Sequence, residues 1–166
     1  MHTLHSDTVW SCTSGIGKCC PPLDVCFIQN SSPVDRNNDD WFATMERTYR
    51  MDDYLKANIA KLDKNDPEGK IGLYVDEWGT WYDPEPGREP GFLYQQNTLR
   101  DAVVTAVNFN LFNKYAERVH MTNIAQMVNV LQAMVLTDGA DMLVTPTYHV
   151  FGMYKVFQDA TAIPFT

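Results

Sequence analysis

From about residue 37 onward, apolar and polar positions alternate with regular periods; before it they do not. Trp41, Met45, Thr48, Tyr49, Leu55, Ile59 and Leu62 recur at helical spacing, with Asp39 or Asp40 placed to cap the start. Glu46 and Arg50 add an i,i+4 pair of opposite charge. Asp66-Pro67-Glu68-Gly69 ends this helix in a turn. The run Ile71-Gly72-Leu73-Tyr74-Val75 is almost wholly apolar and predicts a short strand buried on both faces. A long loop rich in Gly and Pro follows, and a second helix is predicted over 93–115 on Leu99, Val103, Ala106, Val107 and Phe112. Residues 119–124 read as another strand. Residues 130–136 and 142–144 flank Thr137-Asp138-Gly139-Ala140-Asp141, a hairpin signal. Thr145-Pro146 is an N-cap followed by a first-turn proline, opening a helix on Val150, Phe151, Tyr154 and Phe157. Helices alternating with strands, with long loops after the strands, predict an α/β fold with a parallel sheet.

Charge and composition narrow the function classes. The chain has 166 residues, 45% of them apolar, with 13 Lys+Arg against 21 Asp+Glu and a net charge of −8. That is a globular composition, and its acidic balance is opposite to the basic face of a nucleic-acid binder. No apolar run approaches the roughly 18 residues of a membrane span. The start, Met1-His2-Thr3-Leu4-His5-Ser6-Asp7, lacks the basic and apolar regions of a secretion signal, so the expectation is a soluble, cytoplasmic protein. All four cysteines, Cys12, Cys19, Cys20 and Cys26, fall early in the chain, and none forms a C-x-x-C pair. Incidental thiols, a disulfide, and a metal cluster with His2 and His5 are the alternatives, the first being the simplest. Asn30-Ser31-Ser32 is a glycosylation sequon without a matching secretion signal. Residues 1–36 are expected to be a divergent or poorly ordered segment.

The chemistry concentrates in Val75-Asp76-Glu77-Trp78-Gly79-Thr80-Trp81-Tyr82. Two carboxylates stand where the predicted strand gives way to a loop. Strict alternation puts Glu77 on the face of Leu73 and Val75, and Asp76 on that of Gly72 and Tyr74. In α/β barrels the reacting groups sit at such C-terminal strand ends. Tryptophans and a tyrosine beside a carboxylate suit a sugar, whose ring packs on aromatic faces. The alternative is an acidic strand end that caps the loop or pairs with a base. His120 and His149 read as packing histidines.

The run 71–82, followed by Pro90-Gly91-Phe92-Leu93-Tyr94-Gln95-Gln96-Asn97-Thr98-Leu99-Arg100-Asp101-Ala102, closely resembles family 51 glycoside hydrolases, the α-L-arabinofuranosidases. So do Asn123-Ile124-Ala125-Gln126-Met127-Val128-Asn129-Val130 and Thr145-Pro146-Thr147-Tyr148-His149-Val150-Phe151. The resemblance implies that residues 37–166 are the C-terminal part of a (β/α)8 barrel, about strands six to eight with their helices. It implies a retaining hydrolase that releases terminal non-reducing α-L-arabinofuranosyl residues from arabinan- or arabinoxylan-type glycans, without a metal or organic cofactor. Glu77 matches the nucleophile, Trp81 an aromatic residue lining the sugar site, and Gln126 a residue that hydrogen-bonds the arabinose. Asp76 is then a supporting residue and Trp78 a packing one. The expected partner is an arabinose-containing oligo- or polysaccharide, with neither nucleic acid nor membrane; self-association into a homo-oligomer is left open.

The chain also departs from the family. The family's acid/base is the Glu of an Asn-Glu pair, and no such dipeptide occurs here. Strands one to five have no counterpart, and Leu4-His5 is only faintly similar to the family's sixth-strand motif. Glu85 and Glu89 are nearby acids, but a retaining pair must stand about 5–5.5 Å apart. The alternative to an active segment is a truncated, non-catalytic remnant that works, if at all, by assembly. The motifs at Gln126 and 145–151 argue against another barrel carbohydrase such as a cellulase.

Overall fold

The computed structural model describes residues 24–29 (backbone only), 38–161 and 163. The sequon and the features built on Cys12, Cys19, Cys20, His2, His5 and Leu4 lie outside the described residues. The fold is mixed α/β. Strands β1 (Asp24–Gln29), β2 (Leu73–Tyr82) and β3 (Val119–Ile124) form a parallel sheet in the order β1-β2-β3. Helix α1 (Asn38–Asn65) connects the first pair and α2 (Leu99–Lys114) the second. A two-residue turn joins β4 (Val135–Asp138) to β5 (Asp141–Val144) in an antiparallel hairpin, and α3 (Pro146–Tyr154) follows. Parallel neighbours need long crossovers, which is why each helix lies between strands in the chain.

Most sequence expectations hold at the level of elements, with shifted edges. The first helix ends at the Asp66 turn, where Asp66 N–H donates to Leu62 O (2.7 Å). The second helix starts at Leu99 rather than 93. Its first turn is set by a capping box, in which Asp101 Oδ2 accepts from Thr98 N–H at 2.7 Å. Residues 90–92 instead make a 3-10 turn closed by Leu93 in the left-handed conformation. Leu99, expected on the buried face, is 69% exposed; α2 buries Ala102, Val104, Thr105, Asn108, Leu111 and Phe112. His149 and His120 are exposed, not packed in the core. Gly139, at φ +59, makes the tight hairpin turn. No element was expected over 24–29, where the structure has β1; its backbone pairs with β2 from Asp24↔Glu77 to Gln29↔Tyr82.

The core joins one face of the sheet to the helices. Met51 and Leu55 of α1, Val75 and Trp78 of β2, Leu111 and Phe112 of α2 and Val119 of β3 form one buried cluster. Its charged rim is on the opposite side from the loops that follow the strands. Arg118, just before β3, donates to Asp66 Oδ2 (2.8 Å), Asp66 O (2.7 Å), Ile71 O (3.1 Å) and Asp63 Oδ1 (2.8 Å). This guanidinium ties the end of α1 to the entries of β2 and β3.

Candidate active site

β2 is longer than expected, and Glu77 lies within it rather than at its end. Its register against β3 explains how. Val75 pairs with Thr122 and Trp78 with Ile124, so three steps on β2 match two on β3. One extra residue is accommodated as a β-bulge, which reverses the facing of everything beyond it. Val75 and Trp78 therefore both point into the helix-covered core. Trp78 is fully buried, with ring centroids 5.4 Å from Phe112, 5.6 Å from Phe109 and 6.3 Å from Phe151. Thr80 and Tyr82 continue on that side, bonded to Asp101 of α2. Glu77, Gly79 and Trp81 alternate with them and occupy the other face, over which no helix lies among the described residues. This corrects the simple alternation, which put Glu77 on the face of Val75. It also brings Glu77 and Trp81 together on one surface, each partly buried, while Asp76 in the bulge is exposed.

Gly79 is required between them. Its φ is +150°, and a Cβ there would stand 3.3 Å from Ala125 O. Ala125 N–H donates to Trp78 O at 2.9 Å as β3 ends, and Gln126 follows, joined by a cis peptide bond. Gln126 is exposed. The third expected site residue thus begins the loop beside the half of β2 that carries the other two.

Behind this surface lies a buried polar lattice that the sequence reading did not single out. Asp101, fully buried, accepts at Oδ1 from Thr80 Oγ1 and Tyr82 OH, each at 2.8 Å. Burial and the neighbouring Asp101 carboxylate push the Tyr82 phenol well above its ordinary pKa, so it stays a donor. Gln95 accepts from Tyr82 N–H (3.0 Å) and donates to Thr80 O (3.2 Å) and Oγ1 (3.0 Å). Gln132, fully buried, accepts from Thr80 N–H at 2.9 Å. It donates to Asp101 O (2.8 Å), Thr105 Oγ1 (2.7 Å) and Thr147 Oγ1 (3.0 Å). The available signal was a lone Gln inside Val130-Leu131-Gln132-Ala133-Met134-Val135-Leu136, since a buried amide must be bonded.

The nearby acids are otherwise engaged. Glu85 lies 3.9 Å from Arg88, and Glu89 caps the 3-10 turn by accepting from Gly91 N–H. Two open clefts, of about 600 and 700 Å³, lie between α2, β3 and α3 and between the 83–98 loop and the hairpin. Neither is lined by Glu77, Trp81 or Gln126. Among the described residues, no group of three His, Cys, Asp or Glu side chains is arranged to hold a metal, and no helix is long and apolar enough to cross a membrane.

Comparison with known proteins adds a family to this geometry. The family described as the α-L-arabinofuranosidase C-terminal domain matches residues 76–166. An intracellular exo-α-L-arabinofuranosidase from Bacteroides ovatus is 54% identical over 133 residues, which are 80% of this chain and 26% of that protein. The crystal structure of the family 51 arabinofuranosidase from Xanthomonas axonopodis pv. citri superposes with a TM-score of 0.79 at 56% identity, covering 81% of this chain and 27% of that one. The arabinose complex of the Thermotoga maritima α-L-arabinofuranosidase gives a TM-score of 0.56 at 25% identity, over 69% of this chain and 23% of that one. The chain belongs to the family 51 α-L-arabinofuranosidases. It spans about a quarter of the length of the relatives it matches.

Proposed function

We propose that this chain carries the nucleophile half of a retaining α-L-arabinofuranosidase site, and that its parallel strands are the last three of a (β/α)8 barrel. The observation that carries the reading is the bulge in β2, which turns Glu77 and Trp81 away from the core shared with the described helices and beside the Gln126 loop. In this reading the Glu77 carboxylate attacks the anomeric carbon of a terminal arabinofuranosyl residue. The glycosidic C–O bond breaks, and an acid protonates the departing oxygen. Water then attacks the glycosyl–Glu77 ester, gives its proton to the same group acting as base, and releases arabinose. Trp81 packs on the ring and Gln126 bonds a hydroxyl. The substrates are arabinan- or arabinoxylan-type glycans, and the setting is intracellular, as the name of the Bacteroides ovatus relative has it. The acid/base is absent from this sequence, so turnover by the chain alone is expected to be poor; general acid–base catalysis contributes about 10²–10⁴-fold.

A dinitrophenyl fluoroarabinofuranoside separates the two halves of the reaction. Its leaving group departs without a proton, and the fluorine slows hydrolysis of the ester. Mass spectrometry of the treated chain should find one added sugar, on Glu77, and none in Glu77→Gln. A label on another residue, or none where the Bacteroides ovatus enzyme is labelled in parallel, overturns the assignment.

A further inference from the structure

We propose that Gln132 is a positioning residue of this site, fixing the Gln126 loop against the strand that carries Glu77 and Trp81. The inference rests on the reading of Glu77, Trp81 and Gln126 given above. Gln132 occupies a particular place in the chain of bonds. Its backbone N–H donates to Ala125 O at 3.0 Å, one residue before Gln126. Its side-chain oxygen takes the N–H of Thr80, one residue before Trp81. Its amide nitrogen is held by α2, through Asp101 O and Thr105 Oγ1, and by α3, through Thr147 Oγ1. One fully buried side chain therefore joins β2, the loop after β3 and both helices behind them. Leu131 N–H donates to Leu93 O (2.9 Å), so the same segment also holds the loop after β2. Gly79 leaves room for the arrangement, since a Cβ there would lie 3.5 Å from Gln132 Oε1. The side-chain hydrogen bonds of Gln132 go to Thr80, Asp101, Thr105 and Thr147. It acts on the reaction by setting the separation between the nucleophile's strand and the hydroxyl-binding loop, to which rate is steeply sensitive.

Gln132→Met keeps the length of the side chain and removes both of its hydrogen-bonding groups. Thr48→Val, which removes a buried hydroxyl bonded to Thr44 O in α1, serves as a variant that loses stability elsewhere. Two readouts on the whole chain are made under conditions where each variant is fully folded. The first is amide hydrogen exchange and chemical shift. In Gln132→Met the Thr80 amide should exchange faster and the resonances of 125–127 should move, while Thr48→Val leaves both unchanged. The second is the rate of Glu77 labelling by the fluorosugar reagent, which should fall about 10–100-fold in Gln132→Met and stay at the wild-type rate in Thr48→Val. Unchanged Thr80 and 125–127 amides in Gln132→Met overturn the inference whatever the labelling does. So does moved amides with an unchanged labelling rate. Absence of Glu77 labelling in the wild-type chain overturns instead the reading beneath it, and the inference with it.

Discussion

At the scale of single residues, the site depends on where one extra residue is inserted into β2. Asp76 and Glu77 are adjacent in sequence and alike in chemistry, yet the bulge leaves the first exposed and the second partly buried on the face opposite the core. Glu77→Gln should therefore abolish labelling while preserving the melting transition. Asp76→Asn should keep labelling within a few-fold of wild type, read as rate per folded molecule. Equal losses in both would mean that the two carboxylates act together. Gly79 gives a second test of the same geometry. An alanine there must take up a backbone conformation that side chains rarely adopt, so Gly79→Ala should cost about 1–3 kcal/mol in urea unfolding; a loss below a few tenths would mean that β2 relaxes easily at this point. Glu77, Trp81 and Gln126 are named as candidates by the motifs they share with family 51, whereas spacing alone leaves the carboxylate equally open to capping the loop or pairing with a base. Their facing was not, because a bulge leaves no period of its own and strict alternation assigns Glu77 to the core side.

At the scale of elements, helix ends and strand entries were legible where a local interaction sets them and not where a distant one does. The Asp66 turn, the Gly139 hairpin and the Thr145-Pro146 helix start each rest on neighbours in sequence. The true start of α2 required Thr98 and Asp101 to be weighed above the apolar pattern of 93–99. The clamp at Arg118 joins groups about fifty residues apart, which no local pattern reveals. It makes a pH prediction. The Ile71 N–H and the Arg118 guanidinium beside Asp66 hold its carboxyl below the usual range. Bonds from Lys56, Tyr115 and Lys114 do the same for Asp52, which links α1 to α2. A group whose pKa is lower folded than unfolded stabilises the fold above the ordinary carboxylate range, near pH 4, and that contribution is lost as pH falls through the lowered value. Urea midpoints should thus drop between pH 7 and pH 3, and Asp66→Asn should lose less over that interval than wild type. A parallel shift of both curves would show that Asp66 is not among the linked groups. At neutral pH, Arg118→Ala should cost about 2–3 kcal/mol, because it strips bonds from two backbone carbonyls and two carboxylates.

At the scale of the whole molecule, what is exposed matters as much as what is packed. The sheet order β1-β2-β3 leaves β1 and β3 each with one edge unpaired among the described residues, and unpaired edges are templates for further strands. Large apolar side chains lie open nearby. Phe92 at 75%, Met127 at 67%, Met142 at 69% and Leu143 at 57% exposure gather around the loop-and-hairpin end. Among the described residues, no helix lies over the face of β2 that carries Glu77 and Trp81. Among the described residues the sheet keeps two unpaired edges beside these apolar side chains, and a second copy of the chain is one surface against which they can be buried. The net charge of −8 opposes that contact by mutual repulsion. Added salt screens such repulsion, with a Debye length near 10 Å at 0.1 M and about 3 Å at 1 M. The expected outcome is an apparent mass by light scattering that rises with protein concentration and rises further with salt. Glu substitutions at Phe92 and Met142, which remove apolar surface and add to the repulsion, should lower it while leaving the helical circular dichroism unchanged. A single monomeric mass across both series, with a sharp cooperative melt, would mean that the described surfaces are satisfied within one chain, and the expectation of association would be wrong.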